Sequence, residues 1–263
     1  MPTADLDGIA VHYEIDGSGP PLVLTHGLGS AATFWEPLVE PLAAHHRVLR
    51  WDLRGAGRSG TPPGPYSPAL FARDLAALLD RLDIGTAHLV GHSGGGVVSQ
   101  RFALDFPSRV RSLVLVSTSS EVGAKAAQAW HRLADAVERN GFGTAGGAEA
   151  RAFGPAFAAA HPELVAEIGR RTRANDPVAY AATARAFGSY GWTAELSRIQ
   201  LPVLILQGLE DALTPPGGSV IMSRHLPRAR LLMVPDAGHS LPLEMPTFFT
   251  AVVLAFLAGV DLA

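Results

Sequence analysis

The chain has 263 residues, of which 48% are hydrophobic and 17% are charged, and its formal net charge is −3 at pH 7. This composition is typical of one globular α/β domain with a large buried core, and it excludes a disordered chain. No dense basic run indicates nucleic acid or an anionic membrane as a partner, and the absence of cysteine excludes disulfides, thiolate nucleophiles and cysteine-based metal sites.

The first part of the chain alternates strand and helix patterns. Residues 9–15 alternate apolar and polar side chains between two Asp-Gly turns, which predicts a strand in an antiparallel edge hairpin. The short apolar run 22–25 predicts a buried parallel strand. Residues 31–44 carry aromatic and leucine side chains at near-helical spacing, and 47–51 has the composition of a further strand. A strand-helix-strand order is therefore expected from the start of the chain.

A turn rich in glycine and charge follows at 52–59. It could pass for a phosphate-binding loop, but the dinucleotide fingerprint requires three glycines in the G-x-G-x-x-G spacing and a helix directly after them. Glycine and proline between 60 and 65 prevent such a helix. The turn is therefore predicted to be structural, and no cofactor is expected. A helix with an apolar stripe is predicted from about residue 68.

The sequence Gly-His-Ser-Gly-Gly at 91–95 stands between an apolar run at 87–90 and a helical pattern at 96–104. A serine at such a strand-turn-helix junction is held in a strained backbone conformation, with glycines where the strand and the helix leave no room for side chains. We therefore predict that Ser93 is a nucleophile. The alternative is that Ser93 only caps the helix.

The pattern changes between 119 and 197, where alanine-rich helical stretches are broken by glycine and proline. This part, called the lid segment below, is predicted to be a helical insertion in a core made of residues 1–118 and 198–263. Buried strands are predicted on both sides of it, at 113–116 and at 202–207. The alternation implies a mostly parallel sheet with helices on both faces.

A serine nucleophile needs a base, and the base needs an acid to orient it. Asp211 follows a predicted strand and is the candidate acid, although it could be a simple turn aspartate and Glu210 is a rival. His239 lies in a glycine-flanked loop after the last predicted strand and is the candidate base, with a solvated loop histidine as the alternative. The order Ser, Asp, His along the chain is the order that accompanies a serine nucleophile at such a strand-turn-helix junction.

Two backbone amides are expected to stabilise the oxyanion, those of Gly94 and Leu28. The loop at 26–29 could also be an ordinary strand-to-helix turn, and His26 is expected to be buried and to hold that loop. His92 precedes the nucleophile, but its side chain must leave the turn in another direction, so packing or hydrogen bonding is expected of it. No group of side chains has convincing metal-ligand spacing, and no metal is expected.

Together these motifs resemble the serine-nucleophile branch of the α/β-hydrolase family. The resemblance rests on the segments 26–29, 52–59, 91–95, 208–211 and 238–246, the last containing Glu244-x-Pro246. It implies an eight-stranded, mostly parallel sheet and an esterase or lactonase that acts on a small-molecule ester or lactone. The chain is most similar to 3-oxoadipate enol-lactonases, small carboxylesterases and cofactor-free perhydrolases. Enol-lactonases usually carry Asn-Ser in place of His26-Gly27, and this departure favours an esterase.

The lid segment is expected to cover the strand ends and to shape the substrate pocket, for which the candidate residues are Trp35, Trp130, Tyr190 and Trp192. Two other functions stay open. One is hydrolysis of a carbon-carbon bond in a vinylogous diketone, and the other is a ligand receptor with slow turnover. The N-terminal residues lack a basic region followed by an apolar stretch, and no apolar run reaches about 18 residues, so a cytoplasmic protein without a membrane partner is expected.

Overall fold

A computed structural model of the protein describes residues 2–144 and 149–262. Within these residues, eight strands form one sheet in the order β1-β2-β4-β3-β5-β6-β7-β8. The strands are β1 (Thr3–Leu6), β2 (Ile9–Asp16), β3 (Pro21–Thr25), β4 (Arg47–Trp51), β5 (Ala87–His92), β6 (Val110–Val116), β7 (Val203–Gly208) and β8 (Ala229–Val234).

The first two strands are antiparallel to their neighbours, and β3 to β8 all run parallel. All six residues of β5 are buried, because helices cover both faces of the sheet there. The predicted mostly parallel, eight-stranded α/β fold is confirmed. The strand β1 was not predicted, because it has only four residues; it pairs with β2, with Thr3 opposite His12.

Ten α-helices lie within the described ranges: α1 (Glu36–Ala43), α2 (Pro68–Arg81), α3 (Gly94–Asp105), α4 (Ala124–Asn140), α5 (Pro155–Ala160), α6 (Pro162–Arg173), α7 (Pro177–Phe187), α8 (Gly217–His225), α9 (Leu241–Glu244) and α10 (Pro246–Asp261). The helix predicted at 31–44 begins as a 3-10 turn at Ala32–Trp35 and continues as α1.

The core lies on the two faces of the sheet, because successive strand residues point to opposite sides. Leu89 of β5 belongs to the cluster that contains Phe71 of α2 and Phe102 of α3. Its neighbour Val90 belongs to the cluster that contains Leu38 of α1 and, from α10, Phe249. No helix in the described part of the chain is long and apolar enough to cross a membrane.

Helices α4 to α7 all lie in the lid segment, between β6 and β7. Its residues contact the loops at the carboxyl ends of the core strands. A Cβ atom added to Gly94 would lie 2.3 Å from the ring of Phe187, the last residue of α7. One added to Gly29 would lie 3.0 Å from the ring of Tyr180. The lid segment thus packs directly over the loops that carry the candidate site.

Candidate active site

Ser93 lies between the end of β5 and the start of α3, with φ 55° and ψ −120°. A positive φ is uncommon for a residue other than glycine, and such a conformation persists only where the surroundings impose it. Here the Ser93 N–H donates to the carbonyl of Val116 at 2.9 Å, and the Ser93 carbonyl accepts from the Thr118 hydroxyl at 2.8 Å. The end of the neighbouring strand β6 therefore holds the turn at Ser93 from both sides of its backbone.

The flanking glycines allow this sharp turn, because the backbones approach too closely for side chains. A Cβ atom at Gly95 would lie 2.0 Å from the carbonyl oxygen of Thr25, and one at Gly91 would lie 2.4 Å from the carbonyl oxygen of Gly95. Neither position has room for a side chain of any kind. The Gly-x-Ser-x-Gly spacing is thus a packing requirement of the strand-turn-helix junction, as the sequence indicates.

Asp211 is buried in the loop after β7, and its two carboxylate oxygens have different partners. Oδ1 accepts the backbone N–H groups of Leu213 and Thr214 at 2.9 and 2.8 Å, which is the bonding of a turn aspartate. Oδ2 accepts from His239 Nδ1 at 2.9 Å and from Gln207 Nε2 at 3.2 Å. The two roles considered for Asp211 are therefore compatible, because each uses a different oxygen.

The charge on Asp211 is secured by its neighbours. Burial acts to raise the pKa of its carboxyl, but hydrogen bonding and charge from His239, with hydrogen bonds from Thr214, outweigh burial and lower the pKa to about 2. The group is therefore a carboxylate at neutral pH, and it holds the Nδ1 proton of His239. The Nε2 atom of the neutral ring is left as the hydrogen-bond acceptor.

His239 lies close to the turn at Ser93, because His92, the residue before Ser93, contacts His239 in two ways. The Nε2–H of His92 donates to the His239 carbonyl at 2.8 Å, and the two ring centroids are 4.9 Å apart. Burial, with a further contribution from His239, lowers the pKa of His92 to about 3. His92 is thus neutral and bonded to the backbone, in agreement with the packing and hydrogen-bonding role predicted for it.

The loop that carries Leu28 is oriented by His26, which is fully buried. The His26 Nε2 atom accepts the N–H of Leu53 at 3.1 Å, so the proton is on Nδ1, which donates to the carbonyl of Gly27 at 2.8 Å. Burial lowers the pKa of His26, although the charge of Asp52 opposes this, and the ring stays neutral. The expected buried role of His26 is confirmed.

In a trans peptide the N–H points away from the carbonyl, so the bond to His26 also sets the direction of the Leu28 N–H. The same loop touches Ser93: a Cβ atom at Gly27 would lie 3.3 Å from Ser93 Oγ. The amide of Gly94 is the first of α3, where N–H groups have no partner within the helix. The Gly94 amide thus directly follows Ser93 in the chain, and Gly27, the neighbour of Leu28, packs against Ser93.

The four candidate pocket aromatics lie in different surroundings. Trp130 is partly buried and packs, like Leu28 and Tyr180, against the small cluster formed by Ala134, Ala181 and Ala184. Of the four, Trp130 is thus the residue that shares a cluster with Leu28 of the 26–29 loop. Its place in the substrate pocket stays a prediction.

Trp35 does not lie at the pocket, and its prediction as a lining residue is corrected. It is 0% exposed, with its ring 5.0 Å from that of Phe34 and 6.3 Å from that of Phe249. The 3-10 turn that precedes α1 directs this side chain into the core beneath the sheet. Trp35 follows the 26–29 loop closely in sequence, but this proximity gave no information on the direction of its side chain.

Trp192 and Tyr190 pack together at the end of the lid segment, with ring centroids 4.9 Å apart. The Nε1–H of Trp192 donates to Gln100 Oε1 of α3 at 3.2 Å, and the Tyr190 hydroxyl lies 2.9 Å from Ser119 Oγ. The bond of Trp192 thus joins the lid segment to α3, whereas the contact of Tyr190 joins the two ends of the lid segment. We reassign Trp192, which is buried, from the pocket to its junction with α3.

Several residues around the site were missed as contributors by sequence reasoning. Gln207 and Thr214 both bond to Asp211, Thr214 Oγ1 also lies 3.0 Å from His239 Nδ1, and Phe187 covers Gly94. A polar residue next to the end of the apolar strand β7 was an available signal for Gln207. Nothing in the spacing of the lid aromatics distinguished Phe187 from the others.

In the part of the chain that the structure describes, no group of three or more His, Asp or Glu side chains is placed to hold a metal ion. The residues predicted for the candidate site offer a hydroxyl, an imidazole, a carboxylate and two backbone amides. This set matches nucleophilic attack on a carbonyl group followed by general acid catalysis.

The sequence from 20 to 246 matches the family model described as alpha/beta hydrolase fold. The chain therefore belongs to the α/β-hydrolase family, and the resemblance predicted from its motifs is confirmed.

Individual relatives match along nearly the whole chain. It is 33% identical to a protein of Azorhizobium caulinodans named as a carbamate hydrolase, RutD, with 99% of this chain and 100% of that protein covered. It is 30% identical to 3-oxoadipate enol-lactonase 2 of Acinetobacter baylyi, with 97% and 96% covered. Among solved structures, a thermophilic esterase from Thermogutta terrifontis superposes with a TM-score of 0.92 at 32% identity, covering 98% of this chain and 97% of that one.

Proposed function

We propose that this α/β-hydrolase cleaves a small carboxylic ester or lactone through an acyl-enzyme on Ser93. The observation that carries the proposal is the 2.9 Å bond from His239 Nδ1 to the buried carboxylate of Asp211, formed beside the strained turn at Ser93. A buried carboxylate that fixes one ring nitrogen leaves the other free to take a proton from a neighbouring hydroxyl. The three residues would then act as nucleophile, base and orienting acid.

In the first step, His239 Nε2 takes the Ser93 proton while Oγ attacks the carbonyl carbon of the substrate. The negative charge that develops on the carbonyl oxygen is stabilised by the N–H groups of Leu28 and Gly94. The imidazolium then protonates the leaving alcohol oxygen, which departs and leaves an ester on Ser93. Water, deprotonated by His239, hydrolyses this ester and restores the hydroxyl.

The relatives support the class of substrate. By name they include an esterase, an enol-lactonase and a carbamate hydrolase. Each name denotes cleavage at a carbonyl carbon that carries an oxygen or nitrogen leaving group. In this chain the ring of Phe187 contacts Gly94 and the ring of Tyr180 contacts Gly29, so the space beside the 26–29 loop is narrow. We propose that the lid segment encloses a small acyl group at this place.

The proposal is tested with the purified protein by two measurements. A fluorophosphonate probe, followed by peptide mass spectrometry, is expected to label Ser93 and no other residue. A panel of short-chain esters, aryl esters, lactones and carbamates is expected to show the highest kcat/KM for an ester or a lactone. Cleavage confined to vinylogous diketones would favour the carbon-carbon hydrolase. Labelling without turnover of any panel member would favour a receptor.

The acid limb of the pH profile of kcat/KM is expected to be no steeper than one proton, because two of the ionisable groups at the site keep their charge state. Asp211, with a pKa of about 2, and His92, with one of about 3, do not change charge between about pH 4 and 8. The measurement is kcat/KM for one soluble ester across this range. An acid limb steeper than one proton would contradict the assignment, because it would show a second titrating group at the site.

Below about pH 4 the protein is expected to lose stability through Asp211 as well. The folded-state pKa of this carboxyl lies below its ordinary value of about 3.9, so the unfolded chain binds the proton more readily. The stabilisation is complete above the ordinary value and decreases as the pH falls toward 2. Denaturant unfolding of wild type and of the Asp211→Asn variant at several pH values would check this, because the variant should lack this part of the acid dependence.

Substitution of Trp130 by alanine is expected to change substrate preference. Removal of a large side chain from an apolar pocket alters the ratio of kcat/KM between two substrates by roughly ten- to two-hundred-fold. The ratio of an aryl ester to a short-chain ester is the measurement. Trp192→Phe is the comparison: it loses the bond to Gln100 and should lower Tm, with the substrate ratio changed less than about twofold. If wild type and the Trp130 variant had the same ratio of kcat/KM for the two esters, Trp130 would not line the pocket.

A further inference from the structure

Glu244 is a buried carboxylate, only 8% exposed, that the mechanism does not use. It ends the short helix α9, which follows the loop of His239. Its Oε2 atom accepts two backbone N–H groups, that of Gly238 at 2.9 Å and that of Gly154 at 2.9 Å. Gly238 directly precedes the base, and Gly154 belongs to the lid segment. One oxygen atom therefore joins the loop of His239 to the lid.

The two joined segments are in direct backbone contact. A Cβ atom added to Gly238 would lie 2.3 Å from the nitrogen of Gly154 and 2.4 Å from the carbonyl carbon of Phe153. On the other side of the base, the N–H of Ser240 donates to the carbonyl of Ala152 at 2.8 Å. The residues before and after His239 thus both contact the backbone of residues 152–154 in the lid segment.

The backbone of His239 is then held at three points. The amide before it is held by Glu244, the amide after it by Ala152, and its own carbonyl by His92 Nε2 at 2.8 Å. The first and the third of these holds depend on side chains, those of Glu244 and His92, and Glu244 is the one that also reaches the lid segment. Without the carboxylate, two buried N–H groups would lose their acceptor, and buried donors rarely stay unpaired.

We infer that Glu244 is a positioning residue for His239, which acts through the Gly238 amide and ties it to the lid at Gly154. The inference rests on the proposed function, because it assumes that His239 is the base. The length of the side chain is the property that matters, since the same oxygen must reach both amides. Burial raises the pKa of Glu244, while its backbone hydrogen bonds oppose the rise, and a neutral acceptor of equal length should therefore replace it well.

Two conservative variants separate reach from charge. Glu244→Asp keeps a carboxylate but shortens the side chain by one methylene, whereas Glu244→Gln keeps the length and provides a neutral oxygen acceptor. The readout is the second-order rate of inactivation by a small fluorophosphonate, which reports activation of Ser93 and depends little on the pocket. The values of kcat and KM for one ester are measured alongside it.

We expect Glu244→Asp to lower the inactivation rate and kcat by roughly 10- to 100-fold, because a displacement of about 1 Å in a catalytic group has an effect of this order. Glu244→Gln should stay within about threefold of wild type. The matched controls are Glu163→Asp and Glu163→Gln, which make the same changes on an exposed carboxylate of the lid segment and should have no comparable effect.

Two results would overturn the inference. If Glu244→Asp lowered Tm but left the inactivation rate of the folded protein unchanged, Glu244 would have only a structural role. If Glu244→Gln were as impaired as Glu244→Asp, the charge and not the reach would matter. Failure of the proposed function is distinguishable from both, because the wild-type protein itself would then not be labelled at Ser93.

Discussion

Replacement of Ser93 by alanine is expected to lower ester hydrolysis by roughly 10³- to 10⁶-fold while the fold is retained. Alanine removes the hydroxyl that is proposed to attack the substrate, and any residual activity would come from binding and from the proposed oxyanion amides of Leu28 and Gly94. The measurement is kcat/KM for an ester that the wild type hydrolyses well, together with labelling by a fluorophosphonate.

The control for this variant is its folded state, because Ser93 has a positive φ of 55°. Alanine is strained in that conformation, as serine is, so Tm and the circular dichroism spectrum should remain close to those of wild type. Undiminished labelling of the alanine variant, or labelling of another residue in the wild type, would show that the nucleophile has been misplaced.

Asp211→Asn is expected to lower kcat by about 10⁴-fold, the size of effect that follows when the base is held in the wrong tautomer. The asparagine Oδ1 can still accept the N–H groups of Leu213 and Thr214, so the turn should survive. Its Nδ2 group would face His239 Nδ1, and two N–H groups cannot bond to each other. The ring would then carry its proton on Nε2, where it cannot accept the proton of Ser93.

Two matched variants test whether the acid is correctly assigned. Asp236→Asn makes the same chemical change at an exposed position on the loop of His239, where φ is 55° and asparagine is well tolerated. Glu210→Gln alters the carboxylate next to Asp211. Both should retain most of the wild-type kcat. A nearly unchanged kcat in Asp211→Asn, with a large loss in either of the other variants, would contradict the assignment.

The local features of the site were predictable from the sequence because each depends on neighbouring residues. The glycines around Ser93 are required by the contact of a strand with the helix that follows it. Because the strand and the helix are consecutive in the chain, the sequence pattern reveals this contact. The buried parallel strands were recognisable as short apolar runs, because both faces of each strand are covered. Chain order then selected Asp211 and His239 from the available carboxylates and histidines.

The direction of side chains beyond these motifs was not predictable in the same way. Trp35 follows the 26–29 loop closely in sequence. The 3-10 turn that precedes α1 nevertheless points its side chain into the core cluster that contains Leu38 and Phe249. Trp130 and Trp192 are both aromatic residues of the lid segment, but one packs on the cluster of Leu28 and the other bonds to α3. Composition and periodicity are the same for a packing aromatic and for one that lines a pocket.

The sequence by itself determined the fold class, the turn at Ser93 and the candidates for the acid and the base, because local sterics and strand burial leave few alternatives. Only the tertiary structure decided which groups hold that site together. The bond of His92 to the carbonyl of His239 joins residues 147 positions apart along the chain, and it forms because the packing of the whole sheet brings the end of β5 to the loop after β8. Gly154 reaches the carboxylate of Glu244 from the lid segment, 90 residues away along the chain, and such a contact has no local signal in the sequence.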